Sequence, residues 1–126
     1  MKLIIKSKQD YKTHMDEYKE EFECTLEKEE GRIRINFDEG FIQIEEKKII
    51  YERGTNKIII EPNKVNECDY ETQYGMFVLD IKGKEVISYI NENIQNNEGL
   101  LVAKAKYEIQ MVGVESYENN IEILII

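Results

Sequence analysis

The residue whose type and position most directly suggest binding chemistry is Arg53, at the end of a short apolar segment. Ile49, Tyr51 and Arg53 alternate with period two, so the strand face that carries an isoleucine also carries a guanidinium. An inward guanidinium must be paired or wet, because burying it alone costs several kcal/mol. We expect Arg53 either to pair with a carboxylate and cap the interior or to anchor an anionic group of a ligand.

Three tyrosines are placed to line the same interior. Tyr51 shares the segment of Arg53, and Tyr70 and Tyr107 lie in other segments of alternating apolar residues. A tyrosine presents an apolar ring and a hydroxyl that needs a partner, which suits both a core position and contact with a ligand. Arg53, Tyr51, Tyr70 and Tyr107 are therefore the candidate ligand-binding residues, with a core role as the alternative for each tyrosine.

Residues that usually carry catalysis or bind metals are sparse. The chain has one histidine, His14, and its two cysteines, Cys24 and Cys68, lie far apart without a CxxC spacing. The seven glycines are isolated, and none is placed like a phosphate-binding loop between a strand and a helix. The sequence predicts no catalytic residue, no metal site and no cofactor. It favours a non-enzymatic protein with two unbridged thiols.

Charge and hydropathy narrow the classes of partner. Seventeen basic and 26 acidic residues give a formal net charge of −9, which offers no attraction to a nucleic-acid backbone or an anionic membrane. Apolar runs never exceed four residues, so we expect neither a transmembrane helix nor a signal peptide. These features favour a cytoplasmic protein that binds neither nucleic acid nor membrane, and they leave a homodimer open.

Period-two alternation predicts a chain built of strands. It is clearest in residues 100 to 111, where one expected inward face consists of Leu101, Ala103, Ala105, Tyr107, Ile109 and Met111. Short turn-like sequences separate such segments, among them Gly54-Thr55-Asn56, Gly83-Lys84, Asn96-Asn97-Glu98-Gly99 and Asn119-Asn120. Short connections favour antiparallel hairpins. We expect residues 1–126 to form one all-β domain of about 8–10 strands, an up-and-down antiparallel meander that closes into a barrel rather than a Greek-key sandwich.

The segment over residues 9–22 allows two interpretations. Tyr11, Met15, Tyr18 and Phe22 follow the spacing of a helix face. Residues 16–30, however, hold eight acidic and two basic side chains, and like charges at helical spacing repel each other. A polar loop over residues 9–15 that leads into a strand is therefore preferred to a helix.

Small residues at expected inward positions raise the question of free space inside the barrel. Ala103, Ala105 and Ser88 either leave a cavity or make room for larger neighbours. Two functions follow from these patterns. One is a barrel that binds a small, partly apolar or anionic ligand. The alternative is a protein-interaction module that uses the acidic surface or an open strand edge.

Several segments resemble the bacterial DUF1934, or YwiB-like, family. The order and spacing match over residues 17–126, in the sequences Tyr51-Glu52-Arg53-Gly54, Tyr70-Glu71-Thr72-Gln73-Tyr74-Gly75, Phe77 to Ile81, Gly99 to Ile109 and Asn120-Ile121-Glu122-Ile123. The resemblance implies a calycin-like β-barrel of uncharacterised function, and it transfers no site residue. This chain has Gln73 where the family commonly has proline, and it is shorter between Asp38 and Phe41.

Overall fold

The computed structural model describes residues 1–126, which form eleven strands and no helix. The strands are β1 Lys2–Tyr11, β2 His14–Glu29, β3 Arg32–Phe37, β4 Gly40–Glu45, β5 Lys48–Arg53, β6 Asn56–Ile60, β7 Val65–Thr72, β8 Gly75–Ser88, β9 Ile94–Asn96, β10 Gly99–Met111 and β11 Val114–Ile125. All the ladders between them are antiparallel. The predicted all-β meander is confirmed, with a short extra strand, β9, that pairs only with β10.

The strands follow one another around a nearly closed barrel. The order is β7-β8-β10-β11-β1-β2-β3-β4-β5-β6, so neighbours in space are nearly always neighbours in sequence. The exceptions are β8 and β10, which pair although the short β9 lies between them in sequence, and β1 and β11, whose ladder runs from Leu3 opposite Ile125 to Asp10 opposite Glu118. This ladder closes the barrel on one side.

The other side is a seam between β6 and β7, where no backbone ladder forms. Side-chain amides bridge the seam instead. Asn56 Nδ2 donates to the Glu71 carbonyl at 3.4 Å, and the Glu71 amide donates back to Asn56 Oδ1 at 2.7 Å. Further along, Asn66 Nδ2 donates to the Ile59 carbonyl at 3.2 Å. The seam is therefore held by single contacts rather than by a continuous ladder.

Residues 9–15 do not form the predicted loop, residues 9–22 form no helix, and the strand predicted to follow the loop is present. Strand β1 continues to Tyr11, a two-residue turn follows, and β2 begins at His14. Some acidic side chains of β2 form ion pairs with lysines of β1: Lys2 Nζ is 3.6 Å from Glu21, and Lys8 Nζ is 3.8 Å from Glu17. Cross-strand ion pairs thus accommodate the charge that opposed a helix. The preference for a loop over residues 9–15 was wrong because this pairing is not visible in local sequence.

The predicted turn at Gly83-Lys84 is also wrong, because β8 runs unbroken from Gly75 to Ser88. Gly83 instead lies against the backbone of Glu61, so close that a Cβ atom there would overlap the Glu61 carbonyl. Its amide donates to the Lys64 carbonyl at 3.0 Å, and its carbonyl accepts from the Asn63 amide at 3.0 Å. Glycine is required here for a close approach of two backbones.

A bulge in β10 changes the predicted inward face. The register with β11 shifts between Leu101 and Ala103, which brings Val102 as well as Ala103 into the main core. Leu101 faces the other side and packs with Ile4 and Leu124 in a small separate cluster. The expectation that Leu101 belongs to the inward face was therefore wrong, because a bulge places two consecutive side chains out of alternation.

Candidate functional site

The barrel encloses a cavity of about 550 Å³. It is lined by 24 residues, of which 17 are hydrophobic. Its floor is formed by buried side chains, namely Ile5, Ile42, Ile49, Ile60 and Ile123. Its mouth lies near the turns after β7 and β10 and is formed by Gln73, Tyr74, Met111, Val114 and Glu115. The interior is thus apolar at depth and mixed in character at the opening.

The alternation of side chains along the strands determines which residues form the cavity wall. Along β11, every second residue from Glu115 to Ile123 lines the cavity, and along β10 the same holds from Tyr107 to Met111. Side chains two positions apart point to the same face of a strand, so one face of each strand supplies a continuous strip of wall. The small residues Ala103, Ala105 and Ser88 do not line the cavity. Space left by small side chains is filled, and the cavity lies among larger ones.

Asn119 is the one buried polar residue of the barrel, with 5% of its surface exposed. It lies opposite Tyr107 in the β10–β11 ladder, and Asn119 Nδ2 donates to Tyr107 Oη at 2.8 Å. Asn119 Oδ1 is buried without any hydrogen-bond partner. Both residues line the cavity. This pair therefore leaves one fully buried hydrogen-bonding atom unused, and the half-buried Ser7 and Gln9 of β1 are further polar residues of the cavity wall.

Sequence reasoning missed Asn119 because it interpreted Asn119-Asn120 as a turn. The structure places both residues in the middle of β11. The signal that could have found it is alternation, since Tyr117, Asn119, Ile121 and Ile123 share the inward face. An asparagine within such an inward series indicates a buried polar position.

The structure brings the three predicted tyrosines together. Tyr51, Tyr70 and Tyr107 all line the cavity, and Tyr117 joins them. Burial raises the pKa of Tyr107 strongly, although the hydrogen bond from Asn119 offsets part of the effect. Burial likewise raises the pKa values of Tyr51 and Tyr117. Tyr51, Tyr107 and Tyr117 are therefore neutral at physiological pH and offer hydroxyl groups rather than charges.

Arg53 does not line the cavity. It borders a second, more open and mostly polar depression of about 460 Å³, which shares Tyr51, Tyr70 and Thr72 with the cavity. Arg53 Nη2 donates to Asp38 Oδ2 at 2.8 Å, and the guanidinium lies 4.9 Å from the centroid of the Phe22 ring. The hydrogen bond to Asp38 is the main cause that raises the pKa of Arg53, followed by one to Tyr51. The guanidinium thus already has an anionic and an aromatic neighbour.

The charges along the cavity wall are negative. Glu20 and Glu115 line it, whereas no lysine, arginine or histidine does. Glu115 is 3.3 Å from Lys12 Nζ, while Glu20 forms no ion pair. Glu20 is therefore the lining carboxylate without a paired cation, and no lining cation is present to attract an anionic occupant.

Other reactive side chains lie outside this arrangement. His14 is exposed at the β1–β2 turn, where its ring stacks on Tyr11. Cys24 and Cys68 are free thiols, and burial raises the pKa of each. No group of three or more histidine, cysteine, aspartate or glutamate side chains is arranged to hold a metal ion. The structure contains no helix of the length and apolar character needed to cross a membrane.

Fold and interior together define an antiparallel β-barrel with an internal cavity and one seam. Among solved structures, the chain is similar to the ywiB protein from Bacillus subtilis, known from a crystal structure, with a TM-score of 0.67 and 10% sequence identity. The similarity covers 98% of this chain and 89% of that one. The protein therefore has a YwiB-like fold. No protein-family model and no curated protein matches the sequence.

Proposed function

We propose that this protein binds a small, largely apolar molecule inside its barrel. The observation that carries the proposal is the cavity of about 550 Å³, lined by 17 hydrophobic residues out of 24. Sites for small molecules have volumes of about 300–1,000 Å³, with mostly apolar walls and a few polar groups. A barrel core without a ligand to hold is normally filled by its own side chains. An apolar space of this size supports binding.

The distribution of charge favours a neutral ligand over an anionic one. The lining carboxylates are Glu20 and Glu115, and Arg53 is already paired with Asp38 outside the cavity. An anion anchored by Arg53 would have to compete with that carboxylate. The alternative role for Arg53, a cap at the end of β5, fits its position better.

Membership in the DUF1934 family and a location in the cytoplasm are part of the same proposal. The family membership is supported by the sequence motifs and is compatible with the YwiB-like fold. The location is supported by the acidic composition and the short apolar runs.

Titration with the neutral fluorescent probe N-phenyl-1-naphthylamine tests the proposal. We expect saturable binding with one site per chain. Ile121→Phe, which adds volume inside the cavity, should weaken binding at least about tenfold, or ~1.4 kcal/mol. Asn120→Phe on the outer face of the same strand is the matched control and should bind like wild type. No binding to wild type, or equal binding to all three proteins, would contradict the proposal.

A protein-interaction module is the second candidate. The observation that favours it is the seam, where β6 and β7 lack the backbone ladder that joins every other neighbouring pair in the barrel. A second copy of the chain could add strands at such an edge. Sedimentation over a range of protein concentrations tests this, and a chain that stays monomeric throughout would contradict the homodimer.

A further inference from the structure

We propose that the molecule in the cavity carries a hydroxyl, or another neutral group that both donates and accepts a hydrogen bond, and that Asn119 and Tyr107 hold this group. The inference rests on the proposed function, because it specifies the chemistry of a ligand in the same cavity. The observation that carries it is the buried pair of Asn119 and Tyr107, whereas the cavity volume carries the proposed function.

The unused capacity of the pair points to a polar group of a ligand. Asn119 Oδ1 is fully buried and accepts nothing. A buried polar atom without a partner destabilises a protein, and most such atoms are paired. Asn119 lines the cavity with 5% of its surface exposed, so a molecule in that space lies beside the amide, and a small rotation of the side chain would turn the buried oxygen toward it. Binding would supply the missing partner.

The donors and acceptors of the pair match a hydroxyl. With Asn119 Nδ2 donating to Tyr107 Oη, the tyrosine proton and the Asn119 oxygen remain unused. If the amide is turned by 180°, Tyr107 donates to the oxygen and the Asn119 NH₂ remains unused. A hydroxyl can satisfy the pair in either arrangement, because it donates one hydrogen bond and accepts others. A carboxylate only accepts, and an ammonium only donates.

Charge supports the same choice. A carboxylate in the cavity would lie near the unpaired Glu20 and would meet no lining cation. Burial raises the pKa of Tyr107, so its proton stays available for donation. An ammonium group would be attracted to the carboxylates rather than to the neutral pair. The pair therefore selects a neutral polar group.

The position of the pair also orients the ligand. Along the inward face of β11, Tyr117 and Glu115 lie toward the mouth, and Ile121 and Ile123 lie toward the floor. Asn119 is between them. A ligand whose hydroxyl binds at this level can extend its apolar part onto the isoleucines below.

Four naphthalene derivatives test the inference at neutral pH: naphthalene, 2-naphthol, 2-naphthoate and 2-(aminomethyl)naphthalene. Their affinities are measured for wild type, Asn119→Leu, Tyr107→Phe and Asn120→Leu by displacement of N-phenyl-1-naphthylamine. We expect 2-naphthol to bind wild type most tightly. The ratio of naphthol to naphthalene affinity should fall about tenfold in Asn119→Leu, fall in Tyr107→Phe, and stay unchanged in the outward-facing control Asn120→Leu.

The outcomes separate the two proposals. If neither the fluorescent probe nor any derivative binds wild type, the proposed function itself is wrong. If naphthalene binds and the naphthol ratio is the same in Asn119→Leu and Tyr107→Phe as in wild type, the barrel binds apolar molecules but this inference is wrong. Tighter binding of 2-naphthoate or of the amine than of 2-naphthol by wild type also overturns it. That comparison needs no variant, so it decides the matter even if Asn119→Leu fails to fold.

Discussion

The two ends of the barrel are built from the same strands but are filled in different ways. At the closed end, the inward side chains are mainly isoleucines such as Ile35, Ile44 and Ile81, each with 0% exposure. At the open end, inward positions of the same sheet carry tyrosines and Asn119, and a cavity remains between them. Alternation fixes which residues point inward, whereas their shape and polarity decide whether the interior closes. One sheet can thus support both a core and a binding space.

The largest difference in stability is expected when one isoleucine at each end of the barrel is truncated to alanine. Ile44→Ala should lower the free energy of unfolding by about 3–4 kcal/mol, because it leaves a new cavity among fixed neighbours. Ile121→Ala, which widens a space that already exists, should cost only about 1–1.5 kcal/mol, since fewer contacts are lost. Urea unfolding of both variants measures the difference. Equal losses would show that the two ends are packed alike.

Stability measured at alkaline pH tests the burial of Tyr107 in its pair with Asn119. In an unfolded chain tyrosine ionises near pH 10, whereas burial raises the pKa of Tyr107 in the folded protein. Above pH 10 the unfolded state therefore loses a proton that the folded state keeps, and stability falls as the pH rises. Between pH 8 and pH 11, wild type should lose about 1.4 kcal/mol more than Tyr107→Phe. Parallel stability curves for the two proteins would contradict the buried phenol.

The seam should be the weakest part of the barrel wall. Asn56→Ala removes both hydrogen bonds to the backbone of Glu71, and we expect a loss of about 1 kcal/mol because these groups are partly solvated. Hydrogen exchange should accelerate in β6 and β7 more than in β10 and β11. Asn97→Ala, at an exposed turn without side-chain bonds, is the control. If hydrogen exchange accelerated equally in all strands of Asn56→Ala, the seam would not open independently of the rest of the barrel.

The smallest effect is expected at Arg53. Its side chain is 37% exposed, so the ion pair with Asp38 and the contact with Phe22 together should stabilise the fold by only about 0.5–1 kcal/mol. Arg53→Ala should show this loss in thermal melts and should leave the affinity for 2-naphthol unchanged. A weaker affinity for 2-naphthoate in Arg53→Ala, at unchanged naphthol affinity, would instead support the anionic anchor predicted from the sequence.

The fold was largely predictable because strand alternation is a local property. The strands around Ile33, Ile109 and the three tyrosines follow from period two alone. The errors occurred where distant contacts decide the structure. The β1–β2 ladder brings lysines of one strand to acidic residues of the other. The continuous β8 passes close to the backbone of Glu61 at Gly83, and the bulge at Val102 is defined by the register with β11.

The candidate site was predictable in part for the same reason. The tyrosines were found because inward phase is visible in sequence, and Asn119 was missed because paired asparagines are also typical of turns. The cavity itself has no local signal. It is the volume that remains between side chains of strands far apart in sequence, so only the assembled barrel defines it.

The ladder between β1 and β11 has a consequence for how the chain folds during synthesis. Most other ladders join strands that are made one after the other, whereas Leu3 must wait for Ile125, 122 residues later. Until β11 has left the ribosome, the free edges of β1 and β10 have no partner. Long-range pairing of this kind is slow, because much chain entropy is lost before contacts compensate. Nascent chains that stall before β11 should therefore expose β-strand edges and be prone to aggregation.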